Sequence, residues 1–205
     1  MILEILQYIG VAVFAVSGAI AAGRKNLDLI GVIAIASVTA IGGGTLRDVL
    51  LGLPVFWLVT DTWLYVIIVS ALGTVAWARW LPLPDRSLNY ADAVGLAMFS
   101  VSGAQIAEAL GHSPLVVILM GTLTGVAGGV LRDVLSAEIP MILRKGQIYA
   151  TASILGAAVY LLLQFLGLDR PYAALAGTAA AAGLRLAAIA WNLSLPVFNL
   201  GSDPR

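Results

Sequence analysis

The sequence predicts an all-α membrane protein with seven transmembrane helices, arranged as two inverted three-helix repeats and a seventh helix. The first observation is composition: 60% of the 205 residues are hydrophobic and 11% are charged, too few to give the chain a polar surface. The second is a series of apolar stretches of about 20 residues, the length that crosses about 30 Å of hydrocarbon. The third is a duplication, because residues 42–50 return as residues 127–135.

The apolar stretches follow one another with short connections. We expect one membrane domain over residues 1–205, in which residues 1–85 form the first repeat and residues 86–170 the second. Residues 171–205 then hold the seventh helix and a short cytoplasmic tail. The predicted spans lie near residues 3–22, 29–51, 62–80, 91–110, 115–136, 147–167 and 172–191.

The duplication covers more than one motif. Residues 14–19 return as residues 99–104, and Thr39 returns as Thr124, at the same offset of 85 that relates the first motif to its copy. One offset over three separate blocks indicates a duplicated unit. Because each unit has three spans, the second must be inverted relative to the first, an arrangement found in transporters and channels.

The positions of the basic residues predict the orientation. Those outside the spans fall on one side of the membrane, except Arg170, so that side is predicted to be cytoplasmic and the N-terminus external. The 11 basic and 11 acidic residues balance, which gives no nucleic-acid footprint. Without cysteine, and without a legible nucleophile and base, no enzyme, cofactor or metal site is predicted. The basic residues of the cytoplasmic side are Arg24, Lys25, Arg79, Arg86, Arg144, Lys145 and Arg205.

Glycine runs interrupt the second and fifth spans. A glycine costs about 1 kcal/mol inside a helix, so these runs are predicted to kink or open both helices and to free main-chain carbonyls as ligands for a small cation. The alternative is that the glycines let helices pack closely. The predicted kink and pore residues are Gly42, Gly43, Gly44, Gly128 and Gly129, with Thr39 and Thr124 just before the breaks.

An Arg-Asp pair follows each glycine run: Arg47 with Asp48, and Arg132 with Asp133. A charge at bilayer depth costs about 2.5–3.5 kcal/mol on insertion scales, so the pairs are predicted to form a charged constriction at each mouth of a pathway, with structural ion pairs as the alternative. Sequence neighbours point about 100° apart on a helix, so each residue is expected to pair elsewhere. Thr45 and Asp48 have the spacing of a capping box for a restarted half-helix.

Other polar positions within the spans are predicted to support the broken helices. Ser17 and Ser102 lie one turn from Phe14 and Phe99, and we expect the serines to bond freed backbone groups, with plain helix packing as the alternative. Arg185 ends a small-residue stripe in the last span, where it either snorkels, joins a structural pair or acts as a gating charge. The acidic residues predicted to lie solvated near span ends are Asp61, Asp85, Asp92, Glu108, Glu138 and Asp169.

On these motifs the chain resembles the prokaryotic branch of the trimeric intracellular cation (TRIC) channel family, over nearly its whole length. The resemblance implies an integral protein of the prokaryotic inner membrane and a homotrimer with one pore per protomer, lined by the kinked second and fifth helices. It implies potassium as the main permeant ion, sodium as a second candidate, and no cofactor. The two Arg-Asp pairs would form the polar constriction, and we hypothesise that the arginines, neutralised by the aspartates, act as latches that close the pore.

The resemblance has one departure and one further implication. Ala127 stands where the first copy has Gly42, which would stiffen the fifth span. The basic loop at Arg144 and Lys145 would meet anionic membrane lipid.

Two other classes of function stay open from the sequence. A secondary transporter of a small metabolite, such as an amino acid, is the first, because inverted repeats with two broken helices also build transporters. There a half-helix N-terminus near Thr45, with Arg47, would hold a carboxylate. A structural or regulatory membrane subunit is the second.

Overall fold

The computed structural model describes residues 2–196 and is helical throughout that part except for the connections. The helices are α1 (Ile2–Arg24), α2 (Leu29–Leu50), α3 (Phe56–Val59), α4 (Thr62–Trp80), α5 (Ser87–Ala109), α6 (Pro114–Leu135), α7 (Ala150–Phe165) and α8 (Arg170–Trp191). Within residues 2–196, α3 is a single turn of four residues and the other seven helices have 16 to 23 residues. The predicted all-helical membrane class is confirmed.

Five of these helices are long and apolar enough to cross a membrane: α1, α2, α4, α6 and α8. Helix α7 is apolar but has only 16 residues. Helix α5 lies inside the bundle, in contact with α1, α6, α7 and α8. Its polar residues Asp92, Ser100 and Ser102 are buried against protein, so they need not face lipid. A crossing by all seven long helices remains a prediction.

The two ends of the bundle differ in charge. At one end, Lys25 Nζ lies 2.6 Å from Glu138 Oε1, and Arg86 Nη1 donates to the Ile189 carbonyl at 3.0 Å. These contacts gather the last turns of α1 and α8, the start of α5 and the segment after α6 at what we call the basic end. At the opposite end, Arg170 Nη2 lies 2.7 Å from Glu108 Oε2 and joins the start of α8 to the end of α5.

Helices α2 and α6 touch at their glycines in a reciprocal way. A Cβ atom at Gly43 would collide with the main-chain carbonyl of Thr124, and one at Gly128 would collide with the carbonyl of Thr39. Gly43 and Gly128 are 85 positions apart, and so are Thr39 and Thr124, so the duplication exchanges the two contacts. Position rises along α2 while it falls along α6, so the two helices cross antiparallel at this point.

Helices α1 and α5 cross beside them in the same reciprocal way. The Phe14 ring lies against Gly95 and the Phe99 ring against Gly10, where a Cβ atom would be 3.3 Å from Phe99 Cε2. The two rings stack with centroids 5.2 Å apart and an interplanar angle of 8°. Both side chains are buried, so the crossing of these helices is filled.

The prediction that the glycine runs open α2 and α6 is wrong, because both helices are continuous through them. Thr45 is not an N-cap: its Oγ1 donates to the Ile41 carbonyl at 2.7 Å and accepts from Trp57 Nε1. Each backbone group left unpaired in hydrocarbon costs several kcal/mol, whereas a glycine costs about 1 kcal/mol. The helices therefore keep their backbone bonds and use the glycines for close contact. Whether either helix bends at its glycines remains a prediction.

Candidate functional site

Arg132 is the centre of a buried cluster at the basic end. Its side chain is 0% exposed. Its Nη1 donates to Asp92 Oδ1 at 2.6 Å and to Ser17 Oγ at 2.5 Å, while its Nε donates to Asp133 Oδ1 at 2.8 Å. One guanidinium on α6 therefore holds α1 through Ser17 and α5 through Asp92.

Further bonds fix the two carboxylates of this cluster. Asp133 Oδ2 accepts the main-chain N–H of Met141 at 2.9 Å, which fixes the turn after α6. Asp92 is fully buried, and its Oδ1 also accepts the Tyr149 hydroxyl at 3.2 Å. Within residues 2–196 its Oδ2 has no hydrogen-bond partner. A buried carboxylate oxygen without a donor is a free ligand position for a cation or a water.

A second charged cluster lies at the opposite end, around Arg47. Its Nε donates to Asp48 Oδ1 at 2.8 Å, and Asp48 Oδ2 accepts the main-chain N–H of Phe56 at 2.9 Å. The guanidinium carbon lies 5.8 Å from the centroid of the Phe56 ring. Positions 47, 48 and 56 correspond, 85 residues later, to positions 132, 133 and 141, so the two clusters share one plan.

The clusters differ in what lies between α1 and α5. At the opposite end, Gln7 Nε2 donates directly to Ser102 Oγ at 2.8 Å. The corresponding residues at the basic end are Asp92 and Ser17, and there Arg132 stands between them and bonds both. Arg47 makes no such bridge: in the described part of the chain its side chain hydrogen-bonds only to Asp48.

A cavity approaches the centre of the bundle from each end. The cavity at the opposite end has a volume of about 80 Å³, and Arg47, Gln7 and Ser102 are among its lining residues. The cavity at the basic end has a volume of about 170 Å³, and its lining includes Asp133 and Lys25. Between the two, the helix crossings and the stacked phenylalanine rings fill the bundle. The two cavities are therefore separate, and each has an arginine or aspartate of one cluster in its lining.

Each cluster is electrically neutral. Arg47 balances Asp48, and at the basic end the charges of Arg132 and Arg185 balance those of Asp92 and Asp133. Removing one partner of a buried ion pair is destabilising by about 3–5 kcal/mol, because the remaining charge stays buried without compensation. Separating either ion pair therefore requires that the charges find water, an ion or another partner.

Two predictions about pairing are corrected by this geometry. Arg47 and Asp48 do pair with each other, as do Arg132 and Asp133, because the long arginine side chain can fold back over the neighbouring carboxylate. At low dielectric this contact outweighs the unfavourable 100° offset. Ser17 and Ser102 accept hydrogen bonds from side chains, not from freed backbone groups, since the helices have no break to supply them.

The acidic residues predicted to be solvated fall into two groups. Asp92 is fully buried against Arg132, so that prediction is wrong for it. Glu108 is half-buried and accepts from Arg170 and from the Tyr160 hydroxyl. The other four, Asp61, Asp85, Glu138 and Asp169, are exposed.

Arg185 is buried within the bundle and does not snorkel. It is 2% exposed, and its Nη1 donates to Gln147 Oε1 at 3.0 Å and to the Ile148 carbonyl at 3.1 Å. Its guanidinium lies 5.0 Å from the centroid of the Tyr149 ring. The small-residue stripe that ends at Arg185 faces the bundle interior as well: Ala173, Gly177 and Ala181 are buried.

The loop residues Arg144 and Lys145 are exposed at the basic end. Arg144 Nε donates to the Ile139 carbonyl at 2.9 Å, and its Nη2 lies 3.9 Å from Glu138 Oε2. Contact of this loop with lipid remains a prediction.

The sequence did not identify Gln7 and Tyr149 as residues of the site, and it did not identify the role of Asp92. A signal for the role of Asp92 was present, because Asp92, Phe99 and Ser102 are spaced by seven and three residues and so share a helix face. Gln7 could then have been found as the residue 85 positions earlier. Tyr149 gives no such signal, since it lies in a connection and reaches the cluster only through the tertiary fold.

This fold and site define a helical membrane protein with two related, buried clusters of charged residues. A family model described as "Glycine transporter" matches residues 4–80 and again residues 89–164. The UPF0126 inner membrane protein YadS of Escherichia coli K12 is 42% identical over the full length of both chains. The UPF0126 membrane protein of Vibrio cholerae is 43% identical and covers 97% of this chain and 84% of its own.

Solved structures give the same result. The TRIC trimeric intracellular cation channel orthologue from Rhodobacter sphaeroides has a TM-score of 0.88 and 41% identity, over 93% of this chain and 98% of its own. A second prokaryotic TRIC channel has a TM-score of 0.86 and 34% identity, over 95% and 99% of the two chains. The chain belongs to the UPF0126 family of membrane proteins, the prokaryotic branch of the TRIC family.

Proposed function

We propose that this protein is a channel for monovalent cations, mainly potassium, that works as a homotrimer with one pore in each protomer. In the proposed pore, α2 and α6 are the principal walls and the Arg47 and Arg132 clusters are the two constrictions. The observation that carries the proposal is the bridge from Arg132 to Ser17 and Asp92, because it closes the end of a pathway with a group that can move. The TRIC structures of 41% and 34% identity support it, since they are described as cation channels.

The Arg132 bridge explains how an arginine can serve a cation pore. In the closed state the guanidinium occupies the place between α1 and α5 and is neutralised by Asp92 and Asp133. When it swings away, the two carboxylates remain and make the constriction negative, which attracts cations and repels anions. The same movement frees the Ser17 hydroxyl as a further ligand. In the closed state Arg132 therefore covers Asp92 and Asp133, the groups that select cations when the pore is open.

The topology we propose follows the sequence expectations. The two repeats have opposite orientations, which agrees with the antiparallel, reciprocal contacts of Gly43 with Thr124 and of Gly128 with Thr39. All seven long helices cross the prokaryotic inner membrane, and the basic end is cytoplasmic by the positive-inside rule. Arg144 and Lys145 then lie where they can meet anionic headgroups of the inner leaflet.

A secondary transporter of a small amino acid is the second candidate. The description of the matching family model, "Glycine transporter", favours it. The cavity at Arg47 is of a size for such a solute, and the guanidinium could hold a carboxylate. The channel is preferred because none of the described residues that line this cavity is acidic. The neighbouring Asp48 is already bonded to Arg47, so it is not free to hold the ammonium group of the solute.

Single-channel recording tests the proposal. Purified protein is placed in planar bilayers under a potassium chloride gradient, with Arg132→Ala beside wild type and with exposed Arg79→Ala as the matched control. We expect discrete currents that reverse near the potassium potential, a higher open probability in Arg132→Ala and no change in Arg79→Ala. Saturable glycine counterflow in proteoliposomes, with no unitary current from folded trimers, would establish the transporter instead.

A further inference from the structure

A polar pocket of about 180 Å³ lies at the basic end, between the start of α5, residues 145–147 and the end of α8. Three cations line it: Arg86, Lys145 and Arg185. None of its lining residues, all of them within the described part of the chain, is acidic. Arg185 is shared with the Arg132 cluster, where it offsets a carboxylate, so Arg86 and Lys145 are the cations that the pocket adds.

Arg185 contributes a donor that the protein does not use. The residue is 2% exposed, and its Nη1 is occupied by Gln147 and Ile148. Its Nε has no hydrogen-bond partner within residues 2–196. A buried guanidinium N–H without an acceptor is costly, so an acceptor supplied by a ligand in the pocket would relieve that cost.

Two helix ends meet at the pocket. Helix α5 begins there without a side-chain cap, so its amide groups and its partial positive charge favour an anion. Helix α8 ends there, and its partial negative charge opposes an anion, but Arg86 Nη1 caps its Ile189 carbonyl at 3.0 Å. The charges of Arg86 and Lys145 alone outweigh half a negative charge, so the pocket is electropositive.

We propose that this pocket binds a phosphate group. The lining combines guanidinium and ammonium groups with the amide side chains of Asn89 and Asn192, and a phosphate has enough oxygens to accept from several of these donors. The group belongs either to free inorganic phosphate or to a lipid, since α8 ends beside the pocket at Trp191, whose side chain is 74% exposed. Both ligands present the same chemistry to the pocket.

A line of contacts joins the pocket to the Arg132 constriction. The Arg185 guanidinium lies over the Tyr149 ring, and the Tyr149 hydroxyl donates to Asp92, the partner of Arg132. An anion that binds Arg185 therefore acts, through Tyr149, on Asp92, the carboxylate that holds Arg132. This link rests on the proposed channel function, whereas binding of phosphate to the pocket does not.

Binding is measured on purified protein in neutral detergent. Sodium phosphate is titrated against sodium chloride at constant ionic strength while thermal unfolding is followed, and native mass spectrometry records retained phosphatidylglycerol. Asn89→Asp is the main variant, because a carboxylate in the first turn of α5 suits the helix but repels an anion. Lys145→Gln removes one cation, and Arg79→Gln is the matched control because Arg79 is exposed on α4 outside the pocket.

We expect a saturable rise of the unfolding temperature with phosphate, weakened about tenfold in apparent affinity by Lys145→Gln, abolished by Asn89→Asp and unchanged in Arg79→Gln. Retention of phosphatidylglycerol in wild type and its loss in Asn89→Asp would assign the same site to a lipid phosphate. If binding of phosphate and of phosphatidylglycerol is the same in Asn89→Asp as in Arg79→Gln, the pocket does not bind phosphate. In bilayers that show channel currents, open probability unaffected by bound phosphate would overturn the link to Arg132 alone.

Discussion

Arg132 and Asp92 form a fully buried ion pair, with Nη1 2.6 Å from Oδ1, and it joins α6 to α5 at the basic end. The positions that correspond in the other repeat, Arg47 and Gln7, line one cavity without a hydrogen bond between them. The basic end is therefore held by a buried ion pair, whereas the corresponding place at the opposite end has a neutral hydrogen bond between Gln7 and Ser102. This asymmetry sets the first two predictions.

Asp92→Asn should raise the open probability. The amide keeps the shape of the carboxylate but gives up the charged partner of Arg132, a contact of the kind worth about 3–5 kcal/mol when one side is removed. Single-channel recording measures the change, and the unfolding temperature in detergent shows whether the fold is retained. Asp61→Asn, at an exposed position, is the control and should leave both unchanged. A folded Asp92→Asn protein with wild-type gating would exclude this pair as a latch.

Gln7→Asp should have the reverse effect. It places at the opposite end the residue that the basic end already has, so the Arg47 guanidinium gains a carboxylate between α1 and α5. We expect a lower open probability than in wild type, with single-channel conductance unchanged in the openings that remain. Gln7→Asn, which adds no charge, should not reproduce it. An unchanged or higher open probability in Gln7→Asp would show that Arg47 does not move into that place.

Much of this architecture is legible in the sequence because it follows from periodicity and composition. The apolar stretches gave the long helices, and the fixed offset identified positions that the structure pairs reciprocally, such as Gly43 with Thr124 and Gly128 with Thr39. What could not be read was which function each glycine has. A helix break and a close helix contact demand the same residue, and only the tertiary packing distinguishes them.

The charged site was predicted in position but not in pairing. The geometry of a helix predicts that Arg132 and Asp133 point apart. The sequence does not show how strong their ion pair becomes at low dielectric, and that strength decides the pairing. Asp92 was assigned to solvent because it lies near the start of an apolar stretch. Its burial follows from the central place of α5, which is a property of the whole bundle and not of its neighbours in sequence.

Gly128→Ala should destabilise the protein, whereas Gly183→Ala should not. A Cβ atom at Gly128 collides with the Thr39 carbonyl in α2, a main-chain atom that cannot rotate away, while Gly183 has open space around the same position. Overpacking of this kind costs about 1–3 kcal/mol. Thermal unfolding of the two variants in one detergent measures the difference. Equal unfolding temperatures would mean that α2 and α6 can separate without loss, which the close crossing does not allow.

The ion pair between Glu138 and Lys25 should make the unfolding temperature depend on pH. The hydrogen bond from Lys25 and its charge hold the pKa of the Glu138 carboxyl below its ordinary value of 4.5. Because the folded pKa is lowered, the stabilisation from this bond is complete above pH 4.5 and is lost as the pH falls below that value through the folded pKa. The unfolding temperature of wild type should exceed that of Glu138→Gln at neutral pH, and the two should converge in acid. A difference that persists at the lowest pH would assign it to packing rather than to ionisation.

Phe14→Ala should produce a potassium leak. The Phe14 ring stacks on Phe99 at 5.2 Å between the two cavities, and it is 1% exposed, so its removal leaves a void between them. The cost in stability is about 3–5 kcal/mol for a buried phenylalanine, and a void that joins both cavities can admit water. Potassium efflux from loaded proteoliposomes measures the leak, with Phe165→Ala as the control because that ring is 89% exposed. We expect efflux through folded Phe14→Ala protein to exceed that through wild type and Phe165→Ala. Efflux equal to the control would place the permeation path away from the phenylalanine pair.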